Sequence, residues 1–217
     1  GSDQVGRNYM CHLNTAFAAV TTRKNPTLFQ KTMGLSEFYF GDGEGGDKPL
    51  GHIQMLGKSD GVIVQQGAPP LTPLFVADAV AKHVFDFWLT SEDLPRADNR
   101  VTVEANGQIR LSYTPNNLEA HARLKQKLQQ IVKKALPLGF NVSERIGVQA
   151  TAHQCGTLRF GTDPKTSVLD TNCKAHELDN LYVVDASFFP SSSAVNPALT
   201  IIANALRVAE HLKARLS

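Results

Sequence analysis

Residues 180–212 read NLYVVDASFFPSSSAVNPALTIIANALRVAEHL, and three textures follow one another along them. Leu181–Val184 is a short continuous apolar run, the pattern of a buried strand, and it ends at Asp185-Ala186-Ser187. A polar loop of serines, Ser191–Ser193, comes next. Asn196-Pro197 then opens a helix, because asparagine is a strong N-cap and proline suits the first helical position, where an N–H would have no partner. Ile201, Ile202, Ala205, Val208, Ala209 and Leu212 recur at helical spacing as one apolar stripe. This strand–loop–helix unit has no sheet of its own. It is expected either to pair with the N-terminal region or to complete a domain built from sequence outside the chain.

Working back towards the N-terminus, residues 1 to about 145 read as an antiparallel sheet with helices on one face, an α+β unit. Leu13–Thr22, Glu37–Phe40, Leu50–Leu56, Ile63–Gln66 and Val84–Leu89 have strand composition. Asn99–Glu104 and Gln108–Tyr113 flank Asn106-Gly107, the strongest short-range hairpin signal. Leu74–Ala81 reads as a short helix after Pro69, Pro70 and Pro73. Between Asn117 and Leu136, Leu118, Ala122, Leu128, Ile131, Val132 and Ala135 mark an amphipathic helix that Pro137 and Gly139 end.

Composition narrows the function classes. The 217 residues are 42% hydrophobic and 19% charged, with 22 basic against 20 acidic residues and a net charge of +2. No run of one sign supplies an electrostatic footprint for nucleic acid or a membrane surface, and small molecules or other proteins are the expected partners. No apolar run reaches the roughly 18 residues of a membrane span. Cys11, Cys155 and Cys173 are odd in number and widely spaced, which fits neither a disulfide framework nor a zinc set and favours a reducing, cytoplasmic setting. Gly1-Ser2-Asp3 runs straight into a patterned segment, so an N-terminal portion, with any targeting information, is expected to lie outside the chain.

Four motifs bear on chemistry. Gly41, Gly43 and Gly46 in GDGEGG satisfy the letters of a dinucleotide fingerprint, but a working one leaves a buried strand and opens a helix. Here Asp47-Lys48-Pro49 and another strand follow, and Asp42, Glu44 and Asp47 repel phosphate, so a surface loop is expected. The helix start at Asn196-Pro197 offers N–H donors and partial positive charge to an anionic ring edge. His153, in the segment TAHQCGT, is able to take a proton near neutral pH. His153 with Cys155, or His176 with Cys173, falls short of a tetrahedral metal set, and no metal is expected. His121 and His211 are expected on solvated helix faces, and His12, His52 and His83 in strand-like segments. No G-x-S-x-G elbow or P-loop is present.

The segments HQCGTLRFGTDPKTSVLD (153–170), NLYVVDASFFP (180–190) and SSSAVNPALTIIANALRVAEHL (191–212) together closely resemble the C-terminal signature of the glucose-methanol-choline family of flavin oxidoreductases. Upstream, DQVGRNYMCH (3–12) resembles its V-G-x-N segment and SEDLPRADNRVTV (91–103) its E-x-x-P-x-x-x-N-R-V segment. The resemblance implies that residues 1–145 form the substrate domain and that 146–217 return to an FAD domain. It implies His153 as the base on a substrate hydroxyl, Asn196 as its partner, and Asp185, Ala186, Asn196, Pro197 and Ala198 as the residues that approach the flavin. It also implies an alcohol or sugar substrate, FAD held mainly by an N-terminal domain outside this chain, and a possible electron-acceptor protein.

Two departures qualify the match. Cys11 stands where many relatives carry an acidic residue before the histidine, which puts roles for Arg7, Asn8 and His12 in doubt. The family's N-terminal FAD-binding glycine fingerprint is not in the sequence, so the chain alone is expected to be inactive. Two rivals use the same residues: a non-catalytic folding or interaction module, and a lyase of the same fold that cleaves a bond without net redox change.

Overall fold

The computed structural model describes residues 1–27, 31–42, 44–45 and 48–217. In chain order the elements are β1 (Met10–Cys11), β2 (Leu13–Val20), β3 (Gly34–Leu35), β4 (His52–Met55), α1 (Gly61–Gln66), α2 (Leu74–Ala81), β5 (Val84–Ser91), β6 (Arg100–Val103), β7 (Ile109–Ser112), α3 (Leu118–Ala135), β8 (Phe140–Ile146), β9 (Gln154–Cys155) and α4 (Ala198–Leu216). One-turn helices stand at Val148–Ala150 and Ala186–Phe188. Every ladder between these strands is antiparallel, as the α+β reading expects. The contacts do not divide the chain at a single cut near residue 145. One compact unit is Leu13–Ser91 with Leu118–Gly147; the other is Gly1–His12, Glu92–Asn117 and Val148–Ser217.

The first unit is a five-stranded sheet in the order β3-β4-β5-β2-β8. Along β2 the burial alternates, so Phe17 and Ala19 enter the core while Ala16, Ala18 and Val20 stay half-buried. Phe17 lies opposite Phe87 across the β2–β5 ladder. Helix α3 lays Leu124, Leu128 and Val132, one turn apart, onto this face beside Phe17, Phe87 and Leu89. Burial of each such side chain contributes about 1.5–3 kcal/mol. His121, on the same helix, is buried rather than solvated: its ring sits 2.7 Å from Thr15 Oγ1 and 2.9 Å from Ser91 Oγ.

Three local expectations change. Ile63–Gln66 is the body of helix α1, because Asp60 caps it by accepting from the Ile63 N–H at 2.9 Å. Glu37–Phe40 is a turn; the Phe38 carbonyl accepts from both Leu50 and Gly51 N–H instead of joining a ladder. Strand β8, not expected, lies against β2 with most of its side chains exposed. In the GDGEGG segment, Gly43, Gly46 and Asp47 lie outside the described residues. Asp42 pairs with Arg123 at 2.6 Å, Glu44 pairs with Lys127, and no helix stands before β4 among the described residues.

In the second unit β1 pairs with β9 and β6 with β7, the hairpin turning at Gly107 with φ +83°. The hairpin is tied to the N-terminal segment by Val101 N–H donating to the Gly6 carbonyl at 2.8 Å. A Cβ on Gly6 would sit 2.2 Å from the Val101 carbonyl oxygen, which is why this close approach takes glycine. Leu181–Val184 is not a strand: among the described residues only Tyr182 forms a bridge, to Lys174, and the run is half-buried at best. Helix α4 puts Ile201, Val208 and Leu212 against a core that includes Met10, Cys155 and Phe188. Its inward stripe is narrower than expected, since Ile202 is exposed and so is Ala209.

Candidate active site

Strand register sets the site. Met10 pairs with Cys155 and Cys11 with Gln154, so the next step along both strands puts His12 opposite His153. The His12 N–H donates to the His153 carbonyl at 3.2 Å, and the two rings meet edge-on with their Nδ1 atoms 3.2 Å apart. Gly156 makes this strand crossing possible. Its φ is +93°, and a Cβ there would lie 2.4 Å from the Asn8 carbonyl oxygen.

The other edge of the His12 ring faces the serine loop. His12 Nε2 lies 2.8 Å from the Ser192 carbonyl oxygen, an atom that only accepts, so Nε2 carries the proton. His12 is 3% exposed, and burial, with the neighbouring His153 adding to it, pushes its pKa down to about 4 against the opposing bond to Ser192. The ring is therefore neutral at pH 7.

Ser192 is held from the E-x-x-P segment. Its hydroxyl accepts from the Asp93 N–H and donates to the Asp93 carbonyl, both at 3.0 Å, and Ser193 N–H donates to Glu92 Oε1 at 3.3 Å. Asp93 is itself fully buried; its carboxylate accepts from Cys11 N–H and Tyr113 O–H on one oxygen and Asn116 N–H on the other. Burial raises its carboxyl pKa against those three donors.

Asp185 is exposed and caps the one-turn helix at Ala186–Phe188 by accepting from the Ser187 N–H at 2.8 Å. The Ala186 carbonyl accepts from Gly156 N–H at 3.3 Å, and Ser187 and Phe188 carbonyls accept from Leu158 and Phe160. The DASF turn thus runs beside the segment that carries His153. Asn196 and Ala198 are exposed and Pro197 is half-buried. Helix α4 starts at Ala198 with Pro197 at the cap position, so Asn196 stands one residue earlier than an N-cap, and no side chain caps the helix. Three residues separate Asn196 from Ser192.

Of the three residues the sequence leaves in doubt, Arg7 and His12 divide. Arg7 pairs with Asp3 and donates to the Ala97 carbonyl at 3.0 Å, away from the histidines. His12 is part of the histidine pair; the signal that would have found it is the register of two short strands, invisible before they are paired. The thiols of Cys11 and Cys155 are pushed up by burial, that of Cys155 to about 12, which keeps both protonated and poor as ligands or nucleophiles. Among the described residues no group of three or more His, Cys, Asp or Glu side chains is placed to hold a metal ion.

The sequence model described as GMC oxidoreductase, which stands for the glucose-methanol-choline family, matches residues 95–205, half of the chain. The chain belongs to this family. It is 36% identical over 126 residues to paromamine 6'-oxidase of Streptomyces fradiae, a match covering 54% of this chain and 23% of that protein. It is 34% identical over 134 residues to 6'''-hydroxyparomomycin C oxidase of Streptomyces lividus, covering 56% and 24% respectively. Among solved structures, the fold resembles pyridoxine 4-oxidase from Mesorbium loti with a TM-score of 0.61 at 20% identity, over 96% of this chain and 43% of that one. This GMC chain spans about a quarter of the length of those two relatives.

Family members are FAD enzymes, and the residues present fit one part of that cofactor. The first turn of α4 is exposed at Ala198, Leu199 and Thr200 with no side-chain cap, so its N–H groups and partial positive charge are presented outward. That suits the electron-rich edge of a ring system. The described residues offer no glycine-rich strand-to-helix turn for a pyrophosphate.

Proposed function

We propose that this chain is the substrate-side and active-site portion of an FAD-dependent oxidoreductase that oxidises a CH–OH group of an alcohol or sugar. The observation that carries the reading is the histidine pair beside the anchored serine loop, within a GMC signature. The antiparallel-sheet unit serves the substrate, and 146–217 contribute to the flavin side.

A hydride leaves an alcohol carbon readily only as the hydroxyl proton departs, so the site needs a base within hydrogen-bond reach of that oxygen. His153 takes this proton. Asn196 is not basic, but its side-chain amide donates a hydrogen bond to the developing alkoxide and orients the carbon that is oxidised. Asp185, Ala186, Asn196, Pro197 and Ala198 would line the cofactor. The bound flavin supplies the hydride acceptor. Oxygen, a quinone or a cytochrome partner would take the electrons on.

The test is anaerobic mixing of the full-length, flavin-loaded protein with a panel of alcohols and sugars. Bleaching of the flavin absorbance by at least one of them is the expected result. Absence of bleaching across the panel overturns the reading and favours a lyase or a non-catalytic module.

A further inference from the structure

We propose that His12 is a positioning residue that fixes the tautomer of His153, holding its proton on Nδ1 and the lone pair on Nε2. The argument starts at an atom without ambiguity. The Ser192 carbonyl oxygen cannot donate, and it lies 2.8 Å from His12 Nε2, so that nitrogen holds a proton. A neutral imidazole has one N–H, which leaves His12 Nδ1 as an acceptor. The only hydrogen bond open across the 3.2 Å between the two Nδ1 atoms is then donation from His153 to His12. A neutral His153 then has its proton on Nδ1, and Nε2 is its basic nitrogen.

The competing arrangement is a doubly protonated His12 donating to His153. It would put a cation on a ring that is 3% exposed, and burial depresses His12 to a pKa of about 4. The relay is also anchored at its far end. Ser192 is clamped on both sides of its hydroxyl by the Asp93 backbone, so its carbonyl is not a mobile loop atom. In water the neutral histidine ring favours the opposite form, with the proton on Nε2, so without His12 the intrinsic preference would leave most of the population with the wrong nitrogen protonated.

The inference rests on the reading of His153 as the base, but its test does not. Long-range proton–nitrogen correlation spectra of the full-length protein labelled with ¹⁵N-histidine report which ring nitrogen carries the proton. The wild-type protein is expected to show His153 protonated on Nδ1 and His12 on Nε2. His153 protonated on Nε2 overturns the proposal.

Two variants extend the test to turnover. His12→Gln retains an amide N–H for Ser192 and a carbonyl oxygen for His153 Nδ1, and should keep the wild-type tautomer and flavin-reduction rate within about threefold. His12→Leu lacks the acceptor, and should show Nε2-protonated His153 and reduction slowed about tenfold or more, with little change in substrate affinity. Unchanged tautomer and rate in His12→Leu overturns the role of His12. Should His153→Ala reduce its flavin at the wild-type rate, the proposed function fails while the tautomer result stands.

Discussion

His12 and His121 are both rings that the native protein holds neutral. His121 sits between the Thr15 and Ser91 hydroxyls, and burial, aided by Arg145 and Lys125, pushes its pKa down to about 4, as for His12. An unfolded chain takes up these two protons near pH 6.5, whereas the folded rings resist until about pH 4. Their contribution to stability is therefore complete above about pH 6.5 and declines as the pH falls from there towards 4. At about 1.4 kcal/mol per pH unit and group, moving from pH 7 to pH 5 should remove roughly 2 kcal/mol for each histidine. Asp93, with its raised carboxyl pKa, opposes this as the pH falls through that pKa. Urea denaturation at the two pH values measures the difference, and equal midpoints would show that neither ring is held neutral.

Among the elements, the β1–β9 crossing places the site and Gly156 permits it. Gly156→Ala would bring a Cβ to 2.4 Å from the Asn8 carbonyl oxygen and 2.5 Å from Met10 Cε at a φ of +93°. Backbone strain alone is expected to cost about 1–3 kcal/mol, with added displacement of His153. Chemical denaturation checks this, and a loss under about 0.5 kcal/mol would contradict the account of the crossing. Elements defined by local pattern were legible in the sequence: α3 from its apolar spacing, the β6–β7 hairpin from Asn106-Gly107, β2 and β5 from their composition. Those decided by a neighbour were not. Ile63–Gln66 is β-branched at its start yet helical because Asp60 caps it, and β8 is an edge strand specified by its ladder to β2. Leu181–Val184 has strand composition but meets only a single bridge among the described residues. The role of His12 stayed in doubt for a similar reason, since a strand of two residues carries no periodicity.

On the scale of the whole molecule, the linear chain is interleaved: segments at 1–12 and 92–117 belong with 148–217. The family signature follows that division, because the V-G-x-N, E-x-x-P and C-terminal segments hold one another through Gly6 with Val101, Asp93 with Ser192, and His12 with His153. Long-range motifs were thus readable as a set while the bonds between them were not. Helix α4 also leaves Leu199, Ile202 and Leu206 exposed at 81%, 57% and 65%, on the side away from its own core. No helix among the described residues is long and apolar enough to cross a membrane.

The measurement that bears most directly on the central claim is the single-turnover rate of flavin reduction in full-length His153→Ala, with FAD content checked by absorbance and an alcohol that reduces the wild-type flavin. Loss of the proton acceptor should lower the rate by about 10²–10⁴-fold with FAD retained. A rate close to wild type, with the cofactor still bound, would contradict the assignment of His153 as the base.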